Sequence, residues 1–68
     1  MINYSPFFNT IKSKKISQNT LSNNYFVSKN TLNKMRNNQS VSLKTIDYLC
    51  QILKCSVNEI VSINNVTN

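Results

Sequence analysis

One short stretch of the sequence holds most of the side chains that could recognise another molecule. Between residues 28 and 37 it combines hydroxyl, amide and ammonium groups: Ser28, Lys29, Asn30, Thr31, Asn33, Lys34 and Asn37. An asparagine amide can pair with the edge of adenine, and a lysine can reach the acceptor atoms of guanine. Hydroxyls and amides also donate to phosphate oxygens. The stretch therefore suits binding to nucleic acid, although a solvated helix face is the alternative interpretation of Lys29 and Lys34.

Groups for acid-base or covalent catalysis are scarce. The chain has no His and no Gly, and Asp47 and Glu59 are its only acidic residues. Without these residue types there is neither a catalytic base beside a nucleophile nor a glycine-rich phosphate loop. Cys50 and Cys55 cannot complete a four-ligand zinc site alone, so we expect free, buried thiols, with a disulfide between the two as the alternative. We predict no enzyme activity, no metal, no cofactor and no small-molecule ligand.

The charge of the chain points to a polyanionic partner. Eight Lys and Arg residues against two acidic residues give a formal net charge of +6, which attracts nucleic acid or an anionic membrane. A basic surface without a partner is the alternative. The cations are scattered over several short segments, which argues against a membrane-surface helix. No apolar stretch could span a bilayer and no signal-peptide pattern is present, so we predict a cytoplasmic protein that does not bind membranes.

The elements that must position these side chains are five short helices, each beginning near a serine that could cap it. The first runs from Ser5-Pro6 to about Lys14, the second opens at Ser17, and the third runs from Ser28 to about Arg36. Ser42 opens the fourth helix, and Ser56 with Glu59 fits a capping box that opens the fifth. No strand alternation is visible, and residues 63–68 are expected to fray. The length allows one domain, 1–68.

Apolar residues at helical spacing define the predicted core. The inward positions of the five helices are Phe7, Phe8 and Ile11; Leu21 and Tyr25; Leu32 and Met35; Leu43, Ile46, Leu49, Cys50 and Leu53; and Val57, Ile60 and Val61. The third helix would thus turn Leu32 and Met35 inward and expose its polar residues. Two short helices with a tight turn between them, the second polar and basic outside, match what recognition in the major groove requires.

In these residues the chain resembles the Cro/C1-type helix-turn-helix proteins, from Tyr4 to about Val61. The similar segments are Ile16 to Ser22, Val27 to Arg36, and Ser40 to Leu43 with Leu49 and Cys50. The resemblance implies an all-α, compact five-helix bundle of the lambda-repressor-like type, with the helix-turn-helix motif at about 17–36. It also implies a short bacterial or phage regulator that binds double-stranded DNA.

The family's binding residues are carried over by position. Gln18 and Asn37 would donate to phosphate oxygens, and Ser28 would cap the recognition helix beside an anion site. Lys29, Asn30 and Lys34 would face base edges, with Thr31 and Asn33 as nearby candidates. By these assignments, the helix at 28–36 is the one that recognises bases in the major groove.

The turn departs from the family pattern, because Phe26 stands where the family usually has Gly. A bulky residue in the left-handed region costs about 1 kcal/mol or more. Either Phe26 carries this strain, offset by burial of its ring, or Asn24 takes the left-handed position and the turn is shifted.

Two functions from different classes remain open. The first is a sequence-specific transcriptional regulator, expected to be a repressor and a homodimer. Its dimer surface would be the fifth helix and tail, with Ile60, Val61, Ile63 and Val66, or the turn between the third and fourth helices. The second is a protein-interaction module with the same fold, such as an antirepressor or an antitoxin-like partner. The basic face of the third helix favours the regulator.

Overall fold

The computed structural model describes residues 1–63 and has four α-helices there, with one 3₁₀ turn and a two-stranded sheet. The elements are β1 (Ile2–Asn3), α1 (Ser5–Ser13), α2 (Gln18–Asn24), α3 (Lys29–Arg36), α4 (Leu43–Leu53), the 3₁₀ turn (Val57–Glu59) and β2 (Ser62–Ile63). The first four predicted helices are confirmed. The five-helix count is wrong, since the fifth segment forms only the 3₁₀ turn.

Three helices begin with the same local motif, a serine followed three residues later by a threonine. Ser17, Ser28 and Ser42 each accept a hydrogen bond from the backbone N–H of that threonine, at 3.0, 3.0 and 3.2 Å. The two hydroxyls of each pair are also hydrogen-bonded. Each serine satisfies one of the amide groups that a first helical turn leaves without a partner. The predicted caps of α2, α3 and α4 are therefore confirmed.

The other two predicted caps are wrong. Ser5 is the first residue of α1, not its cap, and its N–H donates to Asn3 Oδ1 at 2.8 Å. Ser56 makes no side-chain cap bond. The Glu59 N–H instead donates to the backbone oxygen of Ser56 at 3.0 Å, because a three-residue 3₁₀ turn closes i to i+3 backbone bonds. That amide is then unavailable to the Ser56 hydroxyl, and the capping box does not form.

Each helix is followed by a residue in the left-handed region, although the chain has no glycine to put there. These residues are Lys15, Phe26, Asn38 and Lys54, with φ of 58°, 60°, 55° and 53°. After α1, α3 and α4 the chain closes with bonds of the Schellman type, such as Gln39 N–H to Lys34 O at 2.8 Å. The helix ends are thus well satisfied by hydrogen bonds but carry backbone strain.

Phe26 itself takes the left-handed position in the turn between α2 and α3, whereas Asn24 is the last residue of α2. The prediction that Phe26 carries the strain is therefore confirmed, but the prediction that burial of its ring offsets the strain is wrong. The Phe26 side chain is 86% exposed, so burial of its ring does not offset the strain.

We predict that Phe26→Gly stabilises the protein by about 1 kcal/mol, because glycine enters the left-handed region without a Cβ clash. Thermal unfolding followed by circular dichroism should show a midpoint about 4–8 °C higher, as expected for a domain of this size. Asn38→Gly is the contrasting variant, because Asn tolerates the left-handed region better than Phe and its Oδ1 accepts from the Tyr4 N–H at 3.2 Å. Loss of this hydrogen bond should outweigh the small relief of strain, so its midpoint should fall. A lower midpoint for Phe26→Gly would mean that the exposed ring stabilises the fold.

The core collects one or more residues from every helix. Its buried members are Tyr4, Phe7, Ile11, Leu21, Val27, Leu32, Met35, Ile46, Leu49, Leu53 and Ile60. Most of the predicted inward positions are thus confirmed, with Phe8, Cys50 and Val61 only half-buried. Three predictions are wrong: Leu43 is 84% exposed, Val57 is 48% exposed, and Tyr25 is 37% exposed. Tyr25 follows the last residue of α2 and so no longer shares the inward face of Leu21.

The two strands were not predicted. β1 and β2 are antiparallel, with Ile2 opposite Ile63 and Asn3 opposite Ser62, and they join the two ends of the described chain. Thr10 in α1 adds a bond from its hydroxyl to the backbone oxygen of Glu59 at 2.8 Å. Ile63 lies in β2, and the rest of the tail predicted to fray lies outside the described residues.

The two cysteines lie at the edge of the core. Cys50 and Cys55 are free and half-buried, not fully buried as predicted. Burial raises the pKa of the Cys55 thiol, the neighbouring Cys50 and Glu59 raise it further, and Lys14 partly opposes them. The thiolate is therefore less populated at neutral pH than in a free cysteine.

Among residues 1–63, no helix has the length and apolar character needed to cross a bilayer.

Candidate nucleic-acid interface

α2 and α3 pack against each other through buried side chains on either side of the Phe26 turn. Leu21, Val27 and Leu32 are 0%, 5% and 3% exposed. The Val27 N–H donates to Leu21 O at 3.1 Å, which ties the turn to α2. From the other side, the Tyr48 hydroxyl in α4 donates to Tyr25 O. The turn is thus fixed by both neighbouring helices, and it sets the direction in which α3 leaves.

The outer face of α3 is a stripe of polar residues, which we call the α3 stripe: Asn30, Asn33, Lys34 and Asn37. Their spacing of i, i+3, i+4 and i+7 puts them on one side of a helix. All four are exposed, whereas Leu32 and Met35 on the opposite side are buried. The stripe offers amide donors and acceptors and one ammonium group. Such groups can bond to base edges in a groove wide enough for a helix.

The first turn of α3 uses the Ser28 hydroxyl internally. Ser28 Oγ accepts from the Thr31 N–H at 3.0 Å and donates to Thr31 Oγ1 at 2.9 Å. The Ser28 hydroxyl proton is therefore already in a hydrogen bond, whereas the Thr31 hydroxyl still has a proton to donate. The amide groups of Lys29 and Asn30, in the first turn, have no acceptor within the helix. Thr31 and these two amides are then the groups at this end of α3 with protons to offer an outside acceptor.

A groove between α2 and α3 brings together two more of the predicted residues. It is lined by Gln18, Asn19, Ser22, Lys29, Leu32 and Arg36, and we call it the α2–α3 groove. Lys29 thus lies to one side of the α3 stripe, next to Gln18. The Arg36 guanidinium donates to Gln18 Oε1 and to Asn33 Oδ1, the latter at 3.5 Å. Neither of the two acidic residues lines the groove.

On its other side, α3 faces α4 across a second groove. Its lining residues are Phe26, Val27, Ser28, Thr31, Lys44, Thr45, Tyr48 and Leu49. Thr31 therefore lies on the opposite edge of α3 from Lys29. The structure divides the predicted residues among the α3 stripe and the two grooves that flank it.

Asn37 ends α3 rather than projecting freely. Its Nδ2 donates to the backbone oxygen of Asn33 at 3.0 Å, which satisfies a carbonyl at the end of the helix. An amide nitrogen carries two protons, so the second remains for an outside acceptor.

Arg36 is the groove residue that sequence reasoning misses, because in the sequence it only marks the end of the predicted third helix. Its position seven residues after Lys29 was a usable signal. Two turns of helix separate them, so both must lie on the same edge of α3.

Comparisons with known proteins agree with this architecture. A family model for the Cro/C1-type HTH DNA-binding domain matches residues 9–65 of the chain. The crystal structure of the transcriptional regulator VanUg, form II, is similar with a TM-score of 0.82 and 24% sequence identity, covering 90% of this chain and 81% of that one. At that identity the structural likeness supports the fold. No curated protein gives a significant match.

Proposed function

Because the chain belongs to the Cro/C1-type helix-turn-helix DNA-binding family, we propose that it binds specific sites in double-stranded DNA with α3 and regulates transcription from them. The observation that carries the proposal is the α3 stripe, an exposed row of amides and one lysine on the helix that follows the turn. Asn30, Asn33 and Lys34 read base edges in the major groove, and Lys29 reaches them from the edge of the helix. We assign Gln18, Thr31 and Asn37 to phosphate contacts that fix the register of the protein on the duplex, with Ser28 as the helix cap beside them.

The charge of the molecule supports the same partner. With a net charge of +6, the protein is drawn to DNA and releases counterions when its cations meet phosphates. We infer weak binding to any duplex at low salt, and tighter binding where the stripe meets matching bases.

We further propose that the regulator is a homodimer and a repressor in the cytoplasm of a bacterium or its phage, with residues 1–68 as one DNA-binding domain. An eight-residue helix contacts too few bases for useful selectivity alone, and a two-fold dimer doubles the site. A protein that occupies the duplex blocks access to it, hence repression. In the first candidate surface Ile60 is 0% exposed and cannot take part in a dimer contact, but Ile63 is 73% exposed. In the second, Leu43, just after the turn between α3 and α4, is 84% exposed, so each surface keeps an exposed apolar residue. Val66 lies outside the described residues.

The two other classes receive less support. A protein-interaction module would be favoured by an apolar outer face on α3, but that face consists of Asn30, Asn33, Lys34 and Asn37. We also infer that the chain is not an enzyme, since it has no His and only two carboxylates.

Selection from a random duplex library tests the function directly. The protein is incubated with the library, bound duplexes are recovered over several rounds, and the enriched sequences are read, with a mock selection lacking protein as the control. We expect an enriched palindrome whose half-sites are centred about 34 Å apart, or a multiple of that distance. Affinity for it should fall steeply as salt rises. Recovery of no sequence beyond those in the mock selection would contradict specific DNA binding and redirect the search to a protein partner.

A further inference from the structure

The α2–α3 groove holds a cationic group whose bonding partners are unusual. Arg36 is exposed and donates to two neutral amide oxygens, Gln18 Oε1 and Asn33 Oδ1, rather than to a carboxylate. These bonds use two of the five N–H donors of the guanidinium and leave its charge uncompensated. Lys29 adds a second cation to the same groove. The groove is thus positively charged and rich in donors.

The bond from Arg36 also determines how Gln18 is oriented. A guanidinium has no acceptor, so Gln18 must turn its carbonyl oxygen toward Arg36. Its amide nitrogen is then directed away from Arg36 with two protons to donate. A phosphate requires donors of this kind, and the bond from Arg36 fixes the orientation in which Gln18 offers them.

We propose that the α2–α3 groove binds one backbone phosphate of DNA, with Arg36 as its principal cationic ligand and as the residue that positions Gln18. This inference rests on the proposed function and adds a contact to it. Lys29 lies two turns before Arg36 on the same edge of α3 and adds a second positive charge to this side of the groove, and Leu32 is its apolar lining residue. An arginine suits the role because its planar fork can hold Gln18 and Asn33 while it presents further donors to phosphate oxygens.

Charge and position together favour a DNA phosphate as the occupant. No acidic side chain lines the groove. The groove borders the α3 stripe, since Arg36 bonds to Asn33 of the stripe. A duplex read by the stripe would therefore pass one of its backbones beside the groove.

The test measures binding to a mixed-sequence duplex of about two helical turns at several salt concentrations. Each phosphate contact adds about 0.9 to the slope of log affinity against log salt. We expect Arg36→Gln to lower the slope by about that amount, so that between 50 and 200 mM salt the wild type loses roughly 3.5-fold more affinity than the variant does. Arg36→Lys should keep the slope, because it keeps the charge.

Positioning is tested by a double-mutant cycle with Gln18→Ala. If Arg36 positions Gln18, the loss caused by Gln18→Ala shrinks roughly twofold or more in the Arg36→Gln background. Arg36→Lys should shrink it too, since an ammonium group lacks the planar fork. Additive losses would overturn the positioning role.

Lys14→Gln is the matched charge control, because Lys14 is an exposed cation that lines neither groove and lies near Cys55. An unchanged slope in Arg36→Gln, or a drop equal to that in Lys14→Gln, would overturn the groove while leaving DNA binding intact. If the wild type binds no duplex even at low salt, both the groove and the proposed function are overturned. Circular dichroism of each variant identifies misfolding, and Arg36→Lys keeps a cation in the groove should Arg36→Gln fail to fold.

Discussion

Phe7→Ala should leave most molecules unfolded at physiological temperature. Phe7 is 0% exposed and packs edge-on against Phe8, with ring centroids 4.9 Å apart. Removal of a buried phenyl ring costs about 3–5 kcal/mol in lost burial and in the cavity that remains. A single core in a domain this small supplies only about 3–5 kcal/mol of net stability. Urea unfolding followed by far-ultraviolet circular dichroism measures the loss.

Phe26→Ala is the matched control, since it deletes the same atoms from a side chain that is 86% exposed. Its effect on the free energy of unfolding should stay within about 0.5 kcal/mol, as for other surface substitutions. Equal losses in the two variants would contradict the burial argument, and would indicate that the Phe26 ring packs against something in solution.

The fold was predictable where the signal is local. The three Ser-x-x-Thr segments predict the starts of α2, α3 and α4, because the capping serine and the amide that it caps are only three residues apart. Helical spacing likewise identified Leu32, Met35, Ile46 and Leu49 as core. Both signals act within one or two turns of helix, a distance over which sequence and geometry are tightly linked.

The errors come from contacts between distant parts of the chain. Pairing of Ile2 with Ile63 joins the two ends of the described residues, and two-residue strands are too short for alternation to appear. Leu43 has the spacing of a core residue with Ile46, yet it is exposed in the first turn of α4, where Ser42 and Lys44 are exposed as well. The first turn of α4 therefore extends beyond the core, which only the positions of the neighbouring helices could show.

For the candidate site, the sequence predicted the element but not the grouping of its residues. Spacing and residue type were enough to mark α3 and its polar outer residues. They were not enough to separate Lys29, beside Gln18, from Thr31 on the α4 side. That division depends on how α2 and α4 pack against α3. Arg36 was missed for the same reason, since its bond to Gln18 spans 18 residues.

Asn30→Ala combined with Lys34→Ala should abolish most of the preference for the selected DNA site. A good contact between a side chain and a base edge contributes about 1–3 kcal/mol of discrimination. Two such contacts, on residues that share no hydrogen-bond partner, sum to about 2 kcal/mol or more, a loss of roughly 30-fold in the ratio of specific to nonspecific affinity. Titrations of the variant against the selected site and a scrambled duplex, at one salt concentration, measure that ratio.

The double variant Asn9→Ala, Lys12→Ala is the matched control, because it removes the same two residue types from exposed positions on α1. It lowers the net charge equally, so both variants should bind the scrambled duplex with similar affinity. Only the α3 variant should lose the preference for the selected site, since phosphate contacts alone carry no sequence information. If the α3 variant kept its full preference, the bases would have to be read elsewhere. The groove between α3 and α4, where Thr31 and Lys44 lie, would then be the surface to mutate next.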